Sequence, residues 1–250
     1  MIIGNKGYLG SYLKHNLDYY GNEYIINCAG LVGFDECQSD PQKSYQSNVQ
    51  VLKDIINDYP KSKIIHFSSY FVYDYSISEG CTEQSQVTNE YVYMNHKLES
   101  EKLLRSGDVC FRLGKLYGKI NDEKFMSKIL SGETIQADGV YFNPTNLNTV
   151  LDVVKYQINT YNLSGIYNLS DDVTTKITHY KFAKFIREYL DIASNKKNRG
   201  IEFIEKMDKG FHNYGKFLMN IDKIKRHTEL KINNWSNNLI NYMKLVENYV

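Results

Sequence analysis

Three evenly spaced glycines, Gly4, Gly7 and Gly10, separate an apolar dipeptide from a helical pattern at the start of the chain. The full segment is Gly4-Asn5-Lys6-Gly7-Tyr8-Leu9-Gly10. In such a loop the first glycine permits a tight turn, the second lets backbone N–H groups approach a pyrophosphate, and the third lets helix and strand pack closely. The following helix offers partial positive charge to the phosphates. A chain with 16 glycines can also form a merely structural turn, but the order strand, loop, helix favours dinucleotide binding by these seven residues.

Apolar strand patterns alternate with helical patterns along the chain. Strands are predicted at 2–3, 24–29, 63–68, 109–113, 165–169 and 201–204. Helices are predicted at 8–17, 42–59, 89–104, 147–161 and 178–190, with two more closing the chain. This alternation indicates an α/β fold whose doubly wound parallel sheet carries helices on both faces. We expect a dinucleotide-binding domain over 1–118 and a small C-terminal α/β substrate lobe over 119–250, with a boundary that elements can cross.

Composition excludes several classes of protein. Lys and Arg number 30 against 29 Asp and Glu, so the chain lacks the basic excess of a nucleic-acid-binding protein. The mean hydropathy is −0.48, and no apolar run approaches the roughly 20 residues of a membrane span. The start of the chain does not resemble a signal peptide, so a cytoplasmic protein is expected. The four cysteines form no C-x-x-C pair, which predicts reduced thiols and no metal site.

Tyr93 and Lys97 lie four residues apart in a predicted helix and therefore share one face. A tyrosine hydroxyl has a pKa near 10 and needs a neighbour that favours the phenolate, which an ammonium supplies. The same spacing also occurs at Tyr59/Lys63 and Tyr180/Lys184, so it is equally compatible with ordinary surface chemistry. However, Tyr93/Lys97 alone follows a strand that ends in a hydroxyl residue, Ser69, at the edge of the sheet where ligands bind.

Together these residues resemble those of the extended short-chain dehydrogenase/reductases, in particular the dTDP-4-dehydrorhamnose reductase branch of the nucleotide-sugar reductases and epimerases. The glycine loop matches the G-x-x-G-x-x-G of that family. The matching segments downstream are Asn27-Cys28-Ala29-Gly30, Phe34 to Pro41 with Asn48-Val49, Phe67 to Asp74, Tyr93-x-x-x-Lys97-x-x-x-Glu101, Arg112-Leu113, Tyr117-Gly118, Asn143-Pro144-Thr145 and Gly165 to Asn168. The resemblance covers nearly the whole chain.

The resemblance implies an NAD- or NADP-dependent reductase or epimerase that acts on a nucleotide-linked sugar in surface-polysaccharide synthesis. Tyr93 would be the proton donor, Lys97 would lower the pKa of Tyr93 and hold the nicotinamide ribose, and Ser69 would orient the carbonyl oxygen. Ala29 and Gly30 would lie beside that ribose. Asn143 and Thr145 would line the sugar pocket. A homodimer is also implied by the family.

Three departures from the family pattern affect these expectations. Related chains insert a strand, a helix and a second strand between the first helix and the N-A-A strand, and the segment from Leu17 to Glu23 leaves no room for them. The missing strand carries the residue that reads the adenosine ribose, so the choice between NAD and NADP stays open. The first strand is also short. Tyr70 and Phe71 replace the acidic pair of the related dehydratases, which argues against dehydration.

The missing unit also keeps a second hypothesis open, in which the chain is a non-catalytic, cofactor-poor relative that acts as a binding or regulatory subunit.

Two histidines near the predicted site are given structural interpretations. His66 lies within an apolar strand and is expected to be a satisfied core residue. His96 lies off the face shared by Tyr93 and Lys97 and is expected to be solvated.

Overall fold

The computed structural model describes residues 1–18, 21, 23–74, 77, 80–119, 126, 141, 143–174, 177–194 and 218–247. The strands are β1 (Ile2–Ile3), β2 (Tyr24–Asn27), β3 (Lys63–Ser69), β4 (Val109–Leu113), β5 (Lys115–Tyr117), β6 (Pro144–Asn146) and β7 (Gly165–Leu169). The helices are α1 (Tyr8–Asn16), α2 (Phe34–Ser39), α3 (Pro41–Tyr45), α4 (Val51–Asp58), α5 (Val92–Glu101), α6 (Leu147–Thr160), α7 (His179–Ser194), α8 (Asp222–Thr228) and α9 (Trp235–Glu247). The strand predicted at 201–204 lies outside the described residues.

Five of these strands form one parallel sheet in the order β1-β2-β3-β4-β7. Helices cover both faces, so the predicted α/β fold is confirmed. The helix predicted over 42–59 is present, but a π-helical turn, Gln46–Gln50, joins α3 to α4. None of the four cysteines is disulfide-bonded, and no helix in the described part of the chain is long and apolar enough to cross a membrane.

The two faces of the sheet bury different apolar layers because successive strand residues point to opposite sides. On one face Ile26 packs in a cluster with Leu13 of α1 and with the apolar side of α6. On the other face Ile25 packs with Leu52 and Ile55 of α4. Helix α1 therefore lies on the face opposite α4.

This placement gives the first two crossovers of the sheet opposite hands. The steps from β1 to β2 and from β2 to β3 run in the same direction across parallel strands, yet α1 and α4 cover opposite faces. One of the two connections is therefore left-handed, although about 98 % of such crossovers are right-handed. The missing strand–helix–strand unit explains the exception, because α1 now leads directly to a strand on the other side of β1.

The second half of the chain contributes to both expected lobes. Strand β7 pairs with β4 in the main sheet, and α6 packs on the α1 face, so the sheet includes elements beyond Gly118. A separate apolar cluster joins Tyr117 to α7 and α9. The short parallel pair β5–β6 connects this cluster to the main sheet.

One buried carboxylate, Asp171, joins β5, β6, α6 and α9. Its Oδ2 accepts a hydrogen bond from Tyr117 Oη at 2.7 Å. Its Oδ1 accepts from Asn146 N, Thr149 Oγ1 and Asn238 Nδ2 at 3.0, 2.7 and 2.9 Å. Burial raises the pKa of Asp171 to about 6, against the opposing effect of these donors.

The raised pKa of Asp171 predicts a pH-dependent contribution to stability. Below pH 4 the carboxyl is protonated in both the folded and the unfolded chain, and between pH 4 and 6 only the unfolded chain loses the proton. The folding stability due to this group therefore falls by about 3 kcal/mol as the pH rises through that window. In urea denaturation, Asp171→Asn should become more stable relative to the wild type by that amount between pH 4 and 6.

The matched control for this prediction is Asp172→Asn, because the Asp172 side chain is 30 % exposed and pairs with Lys225. Its stability relative to the wild type should change little over the same window. A constant difference between Asp171→Asn and the wild type from pH 4 to pH 6 would contradict the prediction.

Candidate active site

A cavity of about 580 Å³ opens at the carboxyl edge of the parallel sheet, where open α/β sheets bind ligands. Its wall combines the glycine loop, the ends of β2, β3 and β4, helix α5 and the start of α7. The lining residues are Gly7, Tyr8, Leu9, Cys28, Ala29, Gly30, Val32, Phe67, Ser68, Ser69, Tyr70, Phe71, Tyr93, Lys97, Leu113, Gly114, Lys115, Leu116, Tyr117, Met126, His179 and Phe182.

Most of the sequence-predicted site residues meet in this cavity. The proposed catalytic residues Ser69, Tyr93 and Lys97 line it. Tyr93 and Lys97 are also predicted cofactor-binding residues, and five further predicted positions line the cavity, namely Gly7, Tyr8, Leu9, Ala29 and Gly30. The other four residues of the loop do not line the cavity; they are Gly4, Asn5, Lys6 and Gly10.

Gly4 and Gly10 instead allow the loop to fold. Gly4 adopts a φ of +76°, and a Cβ at Gly10 would lie 2.2 Å from the Gly4 carbonyl oxygen. A side chain at Gly4 would collide with the backbone of Cys28 and Ala29 after β2, and one at Gly10 would collide with the loop itself. These are the roles that the first and third glycines of a dinucleotide-binding turn perform.

Tyr93 is buried, with 7 % of its surface exposed. Burial raises the pKa of Tyr93 to about 12, and a side-chain hydrogen bond with Ser69 opposes that rise. Tyr93 is therefore a neutral phenol at pH 7. The ring contacts Phe34 edge-on, with centroids 5.5 Å apart. Tyr93 is therefore a protonated group that can donate a proton, and the Ser69 hydroxyl lies beside it.

Lys97 lines the same cavity as Tyr93, and a backbone carbonyl of β3 anchors its side chain. Its Nζ donates to the Phe67 carbonyl oxygen at 3.1 Å and lies 6.0 Å from the centre of the Tyr93 ring. Burial lowers the pKa of Lys97, while Cys110 and Glu101 raise it. The Ser69 hydrogen bond is the contact that lowers the pKa of Tyr93 against the effect of burial.

Two buried polar atoms at this site have no hydrogen-bond partner in the described part of the chain. One is Asn48 Oδ1, in the π-helical turn. A Cβ at Gly30 would lie 2.9 Å from that oxygen and 3.2 Å from Lys97 Nζ, so an acceptor and a cation border the same small space. The other is Ser68 Oγ, in the cavity wall. Unpaired buried polar atoms are costly, and both fit a site that a polar ligand completes.

A chain of buried hydrogen bonds ties the loop after β2 to α5. Asn27 Oδ1 accepts from Ala29 N, and Asn27 Nδ2 lies 3.2 Å from His66 Nδ1. His66 Nε2 lies 3.0 Å from Ser100 Oγ, which donates to the Lys97 carbonyl oxygen. Burial lowers the pKa of His66 to about 3, so the ring is neutral and accepts at Nδ1 while it donates at Nε2. His66 is the satisfied core residue that the sequence predicted.

The expectation for His96 is wrong. This residue is 8 % exposed, and its Nδ1 lies 2.9 Å from Ser44 Oγ. The side of α5 that carries His96 is covered by α3 and the π-helical turn. The sequence did not reveal that both sides of α5 are buried.

Asn143 and Thr145 were expected to line the sugar pocket, but neither residue lines the cavity. Both are fully buried. Asn143 Oδ1 accepts from Met219 N at 2.8 Å, and Thr145 Oγ1 lies within hydrogen-bond distance of two backbone carbonyl oxygens. The backbone of Asn143 helps to hold the β5–β6 pair together, since Lys115 N donates to the Asn143 carbonyl oxygen at 2.7 Å.

The site fits the two halves of a dinucleotide unequally. The glycine loop and the start of α1 present a helix N-terminus to a pyrophosphate, and the loop after β2 borders the space beside Lys97. On the adenosine side, β1 is the edge of the sheet, with no strand beyond it among the described residues. The strand that reads the adenosine ribose in related chains has no counterpart in that part of the sheet.

The amino-acid sequence matches the family model of the RmlD substrate binding domain over residues 9–248. The chain belongs to this family. The resemblance to dTDP-4-dehydrorhamnose reductases drawn from the motifs is thereby confirmed. Membership places the chain among NAD(P)-dependent oxidoreductases of the extended short-chain type. No curated protein sequence matches the chain.

Solved structures show the same fold as this RmlD-family chain. A dTDP-4-dehydrorhamnose reductase from Clostridium acetobutylicum superposes with a TM-score of 0.80 over 98 % of both chains, at 19 % identity. A dTDP-4-dehydrorhamnose reductase from Bacillus anthracis, in complex with NADP, gives 0.79 at 19 % identity, covering 98 % of this chain and 96 % of that one. A UDP-N-acetylglucosamine 4-epimerase from Methanobrevibacter ruminantium, in complex with UDP-N-acetylmuramic acid, gives 0.78 at 15 % identity, covering 100 % and 98 %.

Proposed function

We propose that the chain is an NAD(P)H-dependent reductase of a keto group on a nucleotide-linked sugar. The observation that carries the proposal is the meeting of Ser69, Tyr93 and Lys97 with the glycine loop around one cavity. The proposal includes a cytoplasmic location, a role in surface-polysaccharide synthesis and assembly as a homodimer. It also assigns cofactor binding mainly to residues 1–118 and substrate binding mainly to 119–250.

The cofactor, when bound, supplies a hydride to the keto carbon. Ser69 donates a hydrogen bond to the substrate carbonyl oxygen and so holds that oxygen next to Tyr93. Tyr93 gives its phenolic proton to the same oxygen as negative charge develops there. Lys97 would hold the cofactor ribose beside Gly30, and Asn48 Oδ1, which borders the same space, would accept a hydrogen bond from the cofactor.

The protonated state of Tyr93 is the state that a reductase requires of its proton donor. Reduction needs a protonated donor, and burial keeps the phenol protonated at neutral pH because it raises the pKa to about 12. An epimerase must first remove a proton from a substrate hydroxyl, which needs the phenolate. Dehydration is disfavoured because Tyr70 and Phe71 line the cavity where the related dehydratases have two carboxyl groups.

Calorimetric titration of the purified chain with NAD⁺, NADH, NADP⁺ and NADPH tests this proposal, together with turnover of dTDP-4-dehydrorhamnose followed by NADPH absorbance. We expect micromolar binding of at least one reduced cofactor, because the glycine loop and Lys97 are in place. Preference between the two reduced forms should be weak, because the strand that reads the adenosine ribose is missing. Failure of all four cofactors to bind at millimolar concentration would contradict the proposal and favour the non-catalytic subunit.

A further inference from the structure

The cofactor site is furnished on one side of β1 and ends on the other. The nicotinamide side has the cavity, the buried Lys97 and two buried atoms without a partner in the described part of the chain, Asn48 Oδ1 and Ser68 Oγ. On the adenosine side, β1 is the edge of the described sheet. From this asymmetry we propose that the chain recognises the nicotinamide mononucleotide half of its cofactor and leaves the adenosine half in solvent. The inference rests on the proposed function and names the part of the cofactor that the protein reads.

The groups that would hold the nicotinamide ribose lie around one narrow space. A Cβ at Gly30 would lie 2.9 Å from Asn48 Oδ1 and 3.2 Å from Lys97 Nζ, so an acceptor and a cation border the same position. Asn48 is 1 % exposed and Ser68 is 5 % exposed. A buried polar atom without a hydrogen bond is costly, so a ligand that supplies the missing bonds gains affinity. These contacts favour the mononucleotide half of the cofactor.

The start of α1 favours the phosphate of that same half. Gly7 precedes this helix of nine residues, and no side chain caps it. Tyr8 and Leu9, the first two residues of the helix, line the cavity, whereas the turn at 4–6 does not. The cavity therefore ends where the helix begins. A helix N-terminus attracts an anion over its first turn only, so this end of α1 suits the phosphate that is joined to the nicotinamide ribose.

The connection between α1 and β2 is too short to build a subsite for adenosine. Helix α1 ends at Asn16 and β2 begins at Tyr24, so only residues 17–23 separate them. A single crossover with its helix already takes about ten to twelve residues, so a strand, a helix and a second strand cannot fit there. In a doubly wound sheet this unit lies beside β1, on the side away from β2. Both residues of β1, Ile2 and Ile3, are accordingly only half-buried.

The first acidic residues after β2, Asp35 and Glu36, do not replace the missing ribose ligand. Both are exposed on α2 and neither lines the cavity. Helix α2 packs against α5, and its Phe34 contacts the Tyr93 ring, so these carboxylates lie on the catalytic side. Glu36 also pairs with Lys43 at 3.5 Å. Asp35 therefore serves as a test of whether any adenosine contact comes from α2.

Calorimetric titration of the full-length chain with reduced nicotinamide mononucleotide (NMNH), NADH, NADPH and AMP tests the inference. The dissociation constants of NMNH, NADH and NADPH should agree within about tenfold, because the charge-assisted hydrogen bond to the adenosine ribose, worth about tenfold to a hundredfold, is missing. AMP should bind at least about a hundredfold more weakly than NMNH. Lys97→Met should weaken NMNH and NADH by the same factor, about tenfold to a hundredfold. Asp35→Asn should change neither affinity.

Saturation-transfer NMR of NADH with the wild-type chain shows which half of the cofactor contacts the protein. We expect strong transfer to the nicotinamide protons and little to the adenine protons. Equal transfer to both rings overturns the inference and leaves the proposed function intact. The same holds if NMNH binds more than about tenfold more weakly than NADH, or if AMP binds as tightly as NMNH.

The variants add two further outcomes. If Asp35→Asn weakens NADH but not NMNH, α2 reads the adenosine half and the inference is overturned. If Lys97→Met leaves the NMNH affinity unchanged, the mononucleotide binds elsewhere and the inference is also overturned. A wild-type chain that binds none of the nicotinamide nucleotides at millimolar concentration contradicts both the inference and the proposed function.

Discussion

Replacing Tyr93 with Phe is expected to lower kcat by a hundredfold to ten-thousandfold, the range for loss of a positioned general acid. The substitution removes only the hydroxyl that meets Ser69. The ring that packs edge-on against Phe34, with centroids 5.5 Å apart, is retained. Because the cavity keeps its shape, the affinity for NADPH should stay within a few-fold of wild type. The measurement is steady-state reduction of dTDP-4-dehydrorhamnose, with cofactor affinity determined separately.

Tyr91→Phe provides the matched control for that experiment. Tyr91 packs against the same Phe34 ring, also at 5.5 Å, but it does not line the cavity. Its loss of a hydroxyl should leave kcat within about twofold. Unchanged turnover in Tyr93→Phe would remove Tyr93 from the proton-donor role. An equal loss in both variants would show that packing around Phe34, and not proton donation, sets the rate.

Replacing Glu101 with Ala is expected to destabilise the fold by about 3–5 kcal/mol, the cost of a buried charge left without its partner. Glu101 and Arg112 form a two-pronged ion pair, with Nε–Oε1 and Nη2–Oε2 distances of 2.9 and 2.7 Å. Each side chain is only 4 % exposed. Arg112 also lies over the Tyr73 ring, 4.8 Å from its centre. Without Glu101 the guanidinium stays buried in the middle of the sheet.

Thermal and urea denaturation measure this loss, which corresponds to a fall in Tm of roughly 6–20 °C for a chain of this size. Glu99→Ala is the matched control on the same helix. The Glu99 carboxylate lies 3.9 Å from Lys53 Nζ and its side chain is 39 % exposed, so its removal should cost less than about 1 kcal/mol. The double replacement Glu101→Leu with Arg112→Met should recover much of the lost stability. A loss for Glu101→Ala as small as that of Glu99→Ala would contradict the prediction.

The sequence alone determined the features of this protein that depend on local order. Apolar periods of two and of 3.6 residues are local properties, so they predicted most described strands and helices, and their alternation predicted the parallel sheet. The sequence predicted the glycine loop as a dinucleotide-binding turn because the turn and the start of the helix lie within seven residues. The shared face of Tyr93 and Lys97 follows from their spacing of four in one helix.

Only the tertiary structure decided which groups distant in sequence meet. His96 is buried because another helical segment covers its side of α5. The contact between Lys115 and His179 joins residues 64 positions apart, and no spacing rule relates them. Asn143 and Thr145 matched a family segment, yet they point into the protein, where backbone partners hold them.

The crossover from β1 to β2 also shows which features the sequence determined and which only the tertiary structure decided. The short segment between α1 and β2 predicted that a strand–helix–strand unit is missing. It did not show that β1 becomes the edge of the sheet, nor that α1 stays on the face opposite α4. Periodicity records which residues of an element are apolar, whereas the choice of face depends on which neighbouring elements bury them. That choice is made by the packing of the whole chain.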